Sequence, residues 1–306
     1  MRVTEVLKTV SGKLLLATGM AIATIVLGYS AFSGWQASRH ANEQVIALAM
    51  EKAAVTAEKV AVDVAQATSA GATLSGAISG LLNGSDPSRS ALINLIEGVP
   101  PQSDILFGAW MSGILGRQGA GLPGGTEAMN EQGVFTPWWT KDGKGGFALS
   151  TFKIDVENEW YAVPVEEGRS LITEPYLAVD GSLLTTVAVP IFLDGEIVGI
   201  AGVDIGLMDL TTTVNSMTAF PGGRTTLVSS NSRWLAHPDP AMLEQPYADF
   251  GADALQAALD DGEPRILTSP TDGHTRLIYP FKAPGMSRAW AAILDVPEEV
   301  FVAPVQ

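Results

Sequence analysis

Cysteine is absent from this 306-residue sequence, and histidine occurs only 3 times. Without cysteine there is no disulfide framework, no thiolate metal site and no cysteine nucleophile. The histidines, at positions 40, 237 and 274, form no H-E-x-x-H motif, and neither G-x-S-x-G nor a P-loop occurs. The sequence therefore predicts a protein that is not an enzyme, with no cofactor and no metal site.

Basic residues are also scarce, because 18 lysines and arginines stand against 33 aspartates and glutamates, a formal net charge of −15. The first 13 residues carry Arg2, Lys8 and Lys13 against Glu5 and contribute +2, so the remaining residues carry −17. A strongly acidic surface argues against nucleic acid and anionic lipid headgroups as partners. It is compatible with a small cationic ligand, although diffuse acidity also serves solubility alone.

Charge is missing altogether from residues 14–34, LLLATGMAIATIVLGYSAFSG. Roughly 20 apolar residues at ~1.5 Å each cover the ~30 Å hydrocarbon core of a bilayer, so this stretch predicts one transmembrane helix. A cleavable signal peptide is the alternative, but its apolar region usually has only ~7–15 residues and ends in a small-residue cleavage site. Because basic residues favour the cytoplasmic side, residues 1–13 are predicted to be cytoplasmic and residues 35–306 periplasmic, anchored in the inner membrane.

Glycine and proline are absent from Trp35 to Ala70, which favours a long helix leaving the membrane. The predicted helix spans residues 35–84. The apolar stripe expected along it is incomplete and consists of Val45, Leu48, Val55 and Val62.

Beyond residue 84 the chain changes to short β-type runs separated by Gly, Pro and Asp. The predicted fold class is α+β, with antiparallel sheets in two modules, residues 85–210 and 211–306. The sequence LDGE predicts a hairpin, and residues 206–219 a connecting helix. The strands expected in the first module are 104–111, 145–152, 159–165, 182–193 and 196–205. In the second, strands are expected in RTTLVSS, RWLAHPDP, RLIYPFK and RAWAAILDVP, with a helix at ADALQAALDD.

Two motifs that could indicate nucleotide binding or catalysis have simpler structural interpretations. The sequence GAGLPG at 119–124 matches G-x-G-x-x-G, but it contains proline and opens no helix, so a loop is predicted. His237 and Asp239 lie near several hydroxyls and could belong to a hydrolase, whereas a turn at the end of a strand explains the same residues without catalysis. The nearby hydroxyls are those of Ser229, Ser230 and Ser232.

The tryptophans are more informative. Trp138 and Trp139 are adjacent in a stretch of loop composition, and Trp160 heads the predicted strand 159–165. On a strand, alternation would place Asn158 on the same face as Trp160. Large aromatic side chains need a burial partner or a ligand, and capping of the sheet is the alternative to a ligand pocket.

Three segments in order carry a family resemblance: EWYAVPVEEGRSLITEPY, TTVAVPIFLDGEIVGIAGVDIGLMDL and RWLAHPDP. Together with the membrane span and long helix, they resemble the double-Cache extracytoplasmic domain of bacterial methyl-accepting chemotaxis receptors, over residues 36–306. The resemblance implies two PAS-like modules stacked along one helix, with the ligand pocket in the membrane-distal module (85–210) and the proximal module at 211–306. It also implies a homodimer.

The resemblance assigns roles to single residues. In amino-acid-binding members an arginine two residues before the tryptophan holds the ligand carboxylate, and the aspartate of the GVDI strand holds the ammonium. Carried over, these family positions include Trp160, Tyr176 and Asp204, but the arginine position is Asn158, and an acid frequent two residues after the tyrosine is Ala178. Asparagine cannot supply a charged bidentate fork for a carboxylate.

An acid surrounded by aromatic faces instead favours a quaternary ammonium ligand such as choline or a betaine. Within the family, the chain thereby resembles the rhizobial chemoreceptor for quaternary ammonium compounds. The ligand-binding residues predicted are Trp110, Trp138, Trp139, Asn158, Trp160, Tyr176 and Asp204.

The partner of a betaine carboxylate stays open at this point between a backbone N–H, Asn158, Lys141, Lys144 and Lys153. Ordinary amino acids are the alternative ligand class, and a histidine kinase or cyclic-dinucleotide enzyme the alternative output. A hydrolase using His237 and a periplasmic spacer that binds nothing are the alternatives from other classes.

Overall fold

The computed structural model of the chain describes residues 10–117, 121–218 and 220–302. Three of the predicted segments lie partly outside these ranges. They are the cytoplasmic segment at residues 1–9, the GAGLPG loop at residues 119–120 and the helix 206–219 at its last residue. The first described element is helix α1, Val10–Gly84. An 18-residue window of α1 has a mean hydropathy of 1.8 and none of it is buried, so its length and composition suit a membrane span.

Two compact units divide the chain, and α1 belongs to the first up to Leu48 and to the second from Ala49. Within the second unit, the buried face of α1 is built mainly from small residues. The predicted stripe was wrong for Leu48, Val55 and Val62, whose side chains are exposed, while Val45 is buried. Small side chains let the sheet approach the helix closely: a Cβ added at Gly71 would lie 3.0 Å from Cγ1 of Val187. The buried α1 residues of this unit include Ala53, Ala57, Val60, Val64, Ala67, Leu74 and Ile78.

The first sheet has seven antiparallel strands in the order β3-β2-β1-β7-β6-β4, and β5 also pairs with β6. Helix α2, Arg89–Glu97, precedes it and starts at Ser88, whose side chain accepts from the backbone N–H of Ala91. A short 3-10 turn follows at Pro100–Gln102. The strands are β1 Leu106–Gly113, β2 Pro137–Lys141, β3 Phe147–Thr151, β4 Leu171–Ile172, β5 Tyr176–Leu177, β6 Leu183–Leu193 and β7 Glu196–Gly206.

The predicted LDGE hairpin is confirmed, because β6 and β7 pair directly and enclose a tight turn. Asp194 and Gly195 both have positive φ, at 50° and 83°. That is the backbone of a two-residue turn whose twist matches the strands, and Asp-Gly adopts it readily.

The predicted strand 159–165 was wrong, because Glu159–Glu167 forms helix α3 between β3 and β4. Asn158 stands at its N-cap position with an extended backbone, Glu159 lies in the first turn, and Gly168 ends the helix in the left-handed conformation at φ 66°. These are helix-start and helix-stop residues, and they outweigh the β-type composition of the sequence WYAVPV between them.

The second sheet has five antiparallel strands in the order β10-β11-β12-β8-β9. Helix α4, Leu207–Asn215, leads to it from β7, which confirms the connecting helix. The remaining elements are β8 Arg224–Val228, β9 Trp234–Ala236, a 3-10 turn Pro240–Met242, α5 Ala252–Asp261, β10 Arg265–Thr268, β11 Thr275–Phe281, β12 Trp290–Val296 and α6 Glu298–Val302. The α+β architecture with two antiparallel sheets is therefore as predicted, while the module boundaries at 84/85 and 210/211 stay predictions.

Candidate functional site

A small cavity of about 50 Å³ lies on the first sheet. Its walls come from strands β1, β2, β5 and β7, from the start of α3, and from the segments that follow β3 and β5. The lining residues are Trp110, Trp138, Phe152, Lys153, Asn158, Trp160, Tyr176, Leu177, Ala178, Val179 and Asp204. Six of the seven predicted ligand-binding residues line this one cavity.

Asp204 forms the closed end of the cavity, on β7 between β1 and β6, with only 1% of its surface exposed. Two residues earlier, Gly202 makes the arrangement sterically feasible. A Cβ at position 202 would lie 1.9 Å from Cε2 of Trp110, so only glycine lets the indole lie across β7. The glycine of the GVDI motif is thus required by packing, and the aspartate faces the space beside that indole.

Three side chains donate hydrogen bonds to the Asp204 carboxylate. The indole N–H of Trp110 lies 3.0 Å from Oδ1, that of Trp138 lies 2.8 Å from Oδ2, and the Thr186 hydroxyl lies 2.7 Å from Oδ1. The Thr186 proton is used in this bond, so the Tyr176 hydroxyl, 2.8 Å away, must donate to Thr186. Sequence reasoning missed Thr186, which pairs directly with Asp204 in the β6–β7 register.

Burial raises the pKa of Asp204 to about 6, against the three hydrogen bonds that favour the ionised form. The pKa of Tyr176 is raised too, first by burial and then by the neighbouring Asp204 charge. Among the residues that the structure describes, no lysine or arginine forms an ion pair with Asp204. The cavity therefore ends in a desolvated carboxylate whose charge lacks a protein counter-ion there.

Four aromatic rings surround the approach to this carboxylate. Trp110 lies 5.0 Å from Trp160 and 5.2 Å from Phe152, and Phe152 lies 5.5 Å from Trp160 and 5.8 Å from Trp138, measured between ring centroids. All four pairs are close to perpendicular, so the edge of one ring packs against the face of its neighbour. Phe152 was missed from the sequence because nothing distinguishes it there from an ordinary strand phenylalanine.

Asn158 and Lys153 add polar groups to the cavity lining. The Asn158 side chain makes no capping hydrogen bond to α3, although the residue occupies the N-cap position. The Lys153 side chain is 65% exposed and lies 3.6 Å from the Glu131 carboxylate. The end of β5 and the segment after it also contribute to the lining, with two exposed apolar side chains, Leu177 and Val179.

Trp139 lies outside the cavity, contrary to the prediction. It follows Trp138 on β2, so its side chain points to the other face of the sheet, where its indole N–H donates to the Ile93 carbonyl at 3.1 Å. Lys141 is engaged elsewhere, 2.9 Å from Asp209, and Lys144 does not line the cavity.

The hydrolase constellation is not assembled. His237 faces Arg224, with Nε2 at 3.3 Å from Nη1, while its Nδ1 contacts the backbone of Asp239. The hydroxyls of Ser229 and Ser230 instead donate to the carboxylate of Glu174. His237 thus belongs to a strand-end turn, as the simpler reading had it.

Comparison with known proteins places this architecture. The family model described as "Methyl-accepting chemotaxis protein-like, first PDC sensor domain" matches residues 124–212, which contain most of the cavity. A solved structure of "Methyl-accepting Chemotaxis protein X" is 33% identical, with a TM-score of 0.72, and the match covers 83% of this chain and 100% of that one.

Two further comparisons are more limited. The methyl-accepting chemotaxis protein PscA of Pseudomonas syringae pv. tomato is 33% identical over 85 residues, 28% of this chain and 14% of PscA. The ligand-binding domain of the Pseudomonas aeruginosa amino acid chemoreceptor PctB, solved in complex with L-Arg, shares the fold at a TM-score of 0.58 and 18% identity, covering 86% of this chain and 100% of that one. The chain spans less than a quarter of the length of the curated relatives it matches.

The apolar stretch within α1 fits an anchor in the inner membrane, with the sheets in the periplasm. Identity of 33% over the full length of a solved sensor structure, together with the family match across the cavity, decides the family. The chain belongs to the methyl-accepting chemotaxis proteins, of which it is a periplasmic sensor domain.

Proposed function

We propose that the cavity on the first sheet binds a small quaternary ammonium compound, such as choline or a betaine, and that this binding is the chemoreceptor's input signal. The observation that carries the proposal is the buried Asp204 carboxylate, enclosed by aromatic rings and without a basic partner in the described part of the chain. A ligand cation placed among those rings would supply the missing positive charge.

Hydrogen-bond counting favours a methylated ammonium over a primary one. The Asp204 oxygens already accept three hydrogen bonds from protein donors. A primary ammonium carries N–H groups that each need an acceptor, and aromatic faces satisfy them poorly. A quaternary ammonium has no N–H, and each desolvated aromatic face contributes ~0.5–2 kcal/mol to its binding.

The carboxylate of a betaine has two candidate partners in the cavity lining. Of Lys141, Lys144 and Lys153, only Lys153 lines the cavity. Asn158 lies in the same lining, and its side-chain amide makes no capping hydrogen bond to α3. Lys153 would supply charge and Asn158 a hydrogen bond. A betaine would thus contact both Lys153 and Asn158, whereas with choline bound these two side chains would stay hydrated.

An ordinary amino acid is the second candidate ligand. The fold likeness to the PctB domain, which was solved with L-Arg, supports this class. Asp204 would then hold the ammonium, with Asn158 or Lys153 at the carboxylate. The second candidate needs further acceptors for the ammonium N–H groups, and the Tyr176 hydroxyl, which lines the cavity and donates to Thr186, still has lone pairs that can accept.

Signalling would follow from differential affinity of the ligand for two conformations of the sensor. In this proposal residues 85–210 are the membrane-distal binding module and 211–306 the proximal one. A homodimer would carry the change across the membrane through α1.

Titration calorimetry on the 306-residue chain in detergent micelles tests the ligand class. Choline, glycine betaine and proline betaine are compared with a panel of free amino acids. Heat from the methylated compounds, lost in the Asp204→Asn variant, is expected. Heat from amino acids alone would replace the first candidate by the second, and Asn158→Ala would then identify the carboxylate contact.

A further inference from the structure

One short segment touches both the cavity network and the second sheet. Thr173–Tyr176, the sequence TEPY, runs from just after β4 to the start of β5. The carboxylate in its middle, Glu174, accepts hydrogen bonds from the hydroxyls of Ser229 and Ser230. Those serines lie between β8 and β9 in the second sheet, so Glu174 bonds across from one sheet to the other.

The residues on either side of Glu174 contact the neighbour of the buried acid. Thr173 exchanges hydrogen bonds with the Thr186 backbone: its N–H donates to the Thr186 carbonyl at 2.9 Å and its hydroxyl oxygen accepts from the Thr186 N–H at 3.0 Å. Tyr176 contacts the Thr186 hydroxyl, which in turn donates to Asp204. A change at the carboxylate therefore reaches both flanks of Glu174 through one residue, Thr186.

A second connection runs through the aromatic wall. The backbone N–H of Glu174 donates to Oε2 of Glu159 at 3.2 Å. Glu159 is the first residue of α3 and immediately precedes Trp160, whose ring encloses the cavity. Movement of Trp160 on ligand entry would thus also shift Glu159 and its hydrogen bond to the Glu174 backbone.

In the second sheet, the Ser229 hydroxyl that donates to Glu174 also contacts the backbone of the β8–β9 turn. Ser229 is fully buried, and its oxygen also accepts from the backbone N–H of Arg233 at 3.2 Å. Ser232 in the same turn has a positive φ of 56°. Backbone hydrogen bonds hold the same turn, from the Ser229 N–H to the Arg233 carbonyl at 2.8 Å and from the Ser232 N–H to the Ser229 carbonyl at 3.1 Å, so the Ser229 hydroxyl is one of several contacts there.

We infer that Glu174 is a positioning residue that couples occupancy of the cavity to the β8–β9 turn of the second sheet. The inference rests on the proposed function only in taking the cavity as the ligand site. Two charge-assisted hydrogen bonds tie the carboxylate to the turn, and its flanking residues follow Thr186 and therefore Asp204. Neither serine lies in the cavity lining, so the link transmits and does not itself bind ligand.

The test uses amide hydrogen exchange of the Arg233 N–H in the 306-residue chain, because this group bonds directly to Ser229. The cavity is perturbed in two ways, by saturating glycine betaine and by Asp204→Asn. Each perturbation is repeated in two latch variants, Glu174→Gln and, from the opposite side, Ser230→Ala, which keeps the Ser229 oxygen that accepts from the Arg233 N–H. Glu157→Gln, an exposed glutamate near the same helix, is the matched control.

In the unmodified chain and in the control, each perturbation is expected to change the Arg233 exchange rate about threefold or more, the effect of a hydrogen-bond network coupling two sites. In both latch variants the change should fall to less than half of that, while calorimetric affinity for glycine betaine stays within about twofold, because no group touching ligand is altered.

An undiminished response in both latch variants would overturn the inference, and so would no response in the unmodified chain. A loss of affinity as large as that of Asp204→Asn would make Glu174 a cavity residue instead. If glycine betaine gives no heat while Asp204→Asn still shifts Arg233 exchange, the ligand proposal fails and the coupling stands.

Discussion

Acidification from pH 7.5 to pH 5.0 is expected to weaken choline binding about tenfold, because Asp204 must be ionised to pair with the cation. The pKa of this carboxyl in the empty protein is raised to about 6 by burial. At pH 7.5 nearly all of the protein is ionised at this position, whereas at pH 5.0 only about one molecule in ten is. Choline carries no group that titrates in this range, so the change belongs to the protein.

The direction of the effect distinguishes it from acid unfolding. A carboxyl whose pKa is raised in the folded state opposes folding above that pKa, and this opposition disappears as the pH falls from about 6 toward the ordinary value of 3.8. With respect to Asp204, the empty protein is therefore more stable at pH 5.0 than at pH 7.5, while its affinity for choline is lower. Thermal unfolding at both pH values, measured without ligand, separates the two effects.

Calorimetry at half-unit intervals between pH 5.0 and 7.5 is the assay. Choline affinity should be constant above about pH 6.5 and fall toward a tenfold change per pH unit below the pKa, with a proton released on binding near pH 6. Asp204→Asn should bind at least about 30-fold more weakly and without this pH dependence, because the ligand charge loses its buried partner. A flat profile in the unmodified protein would refute the pairing of choline with Asp204.

Three substitutions test other parts of the structure. Trp160→Ala is expected to weaken glycine betaine binding about fivefold to thirtyfold by calorimetry, since one desolvated aromatic face contributes ~1–2 kcal/mol. Lys153→Met should weaken glycine betaine severalfold and choline little, because only the betaine carries a carboxylate for the lysine to attract. Asp295→Asn should lower the free energy of unfolding by ~3–5 kcal/mol in urea denaturation, since Arg276 and Arg224 would lose a buried partner.

The chain offers controls for the two cavity substitutions. Trp139 lies on the same strand as Trp138 but on the opposite face, so Trp139→Phe should leave glycine betaine affinity unchanged. Lys144→Met removes a lysine outside the cavity and should weaken neither ligand. Equal losses for choline and glycine betaine in Lys153→Met would remove Lys153 as a carboxylate contact. Unaltered stability in Asp295→Asn would contradict a structural role for its ion pairs.

The sequence predicted the strands well where hydrophobic runs and turn residues agree, as in the β6–β7 hairpin. It could not predict which residue faces Asp204 across that hairpin. Counting outward from the turn pairs Asp204 with Thr185, but a bulge between Ile191 and Phe192 shifts the register by one, and Thr186 takes the place. A shift of one residue exchanges the two faces of a strand, so the partner of the buried acid became visible only in the structure.

The tryptophan predictions show the same limit from another side. Trp110, Trp138 and Trp160 converge from β1, β2 and α3, which are separated by long stretches of chain. The adjacency of Trp138 and Trp139 in the sequence did not predict a shared site, because side chains alternate along β2. Trp138 points into the cavity and Trp139 to the opposite face. Asn158 and Trp160 do line the cavity together, but as the start of a helix and not as a strand face.

Each sheet buries one aspartate, but the two carboxylates are neutralised differently, and this difference supports the proposed ligand site on the first sheet. Asp295 on β12 is as deeply buried as Asp204 on β7, at 3% and 1% exposure. Both oxygens of Asp295 are bonded by Arg276, at 2.6 and 3.1 Å, and Arg224 adds bonds of 2.6 and 3.0 Å to one of them. Its charge is balanced within the protein, so the second sheet has no electrostatic demand for a ligand.

Asp204 receives hydrogen bonds from two indoles and a hydroxyl, all of them neutral donors. These donors orient the carboxylate and lower the cost of its burial, but they supply no positive charge. No basic residue in the described part of the chain pairs with Asp204. Its charge is therefore compensated either by a cation from outside the protein or by protonation of the carboxylate. The proposed site would gain a counter-ion only when a ligand arrives, so it would have two states of different electrostatic energy, which is the physical requirement for a sensor.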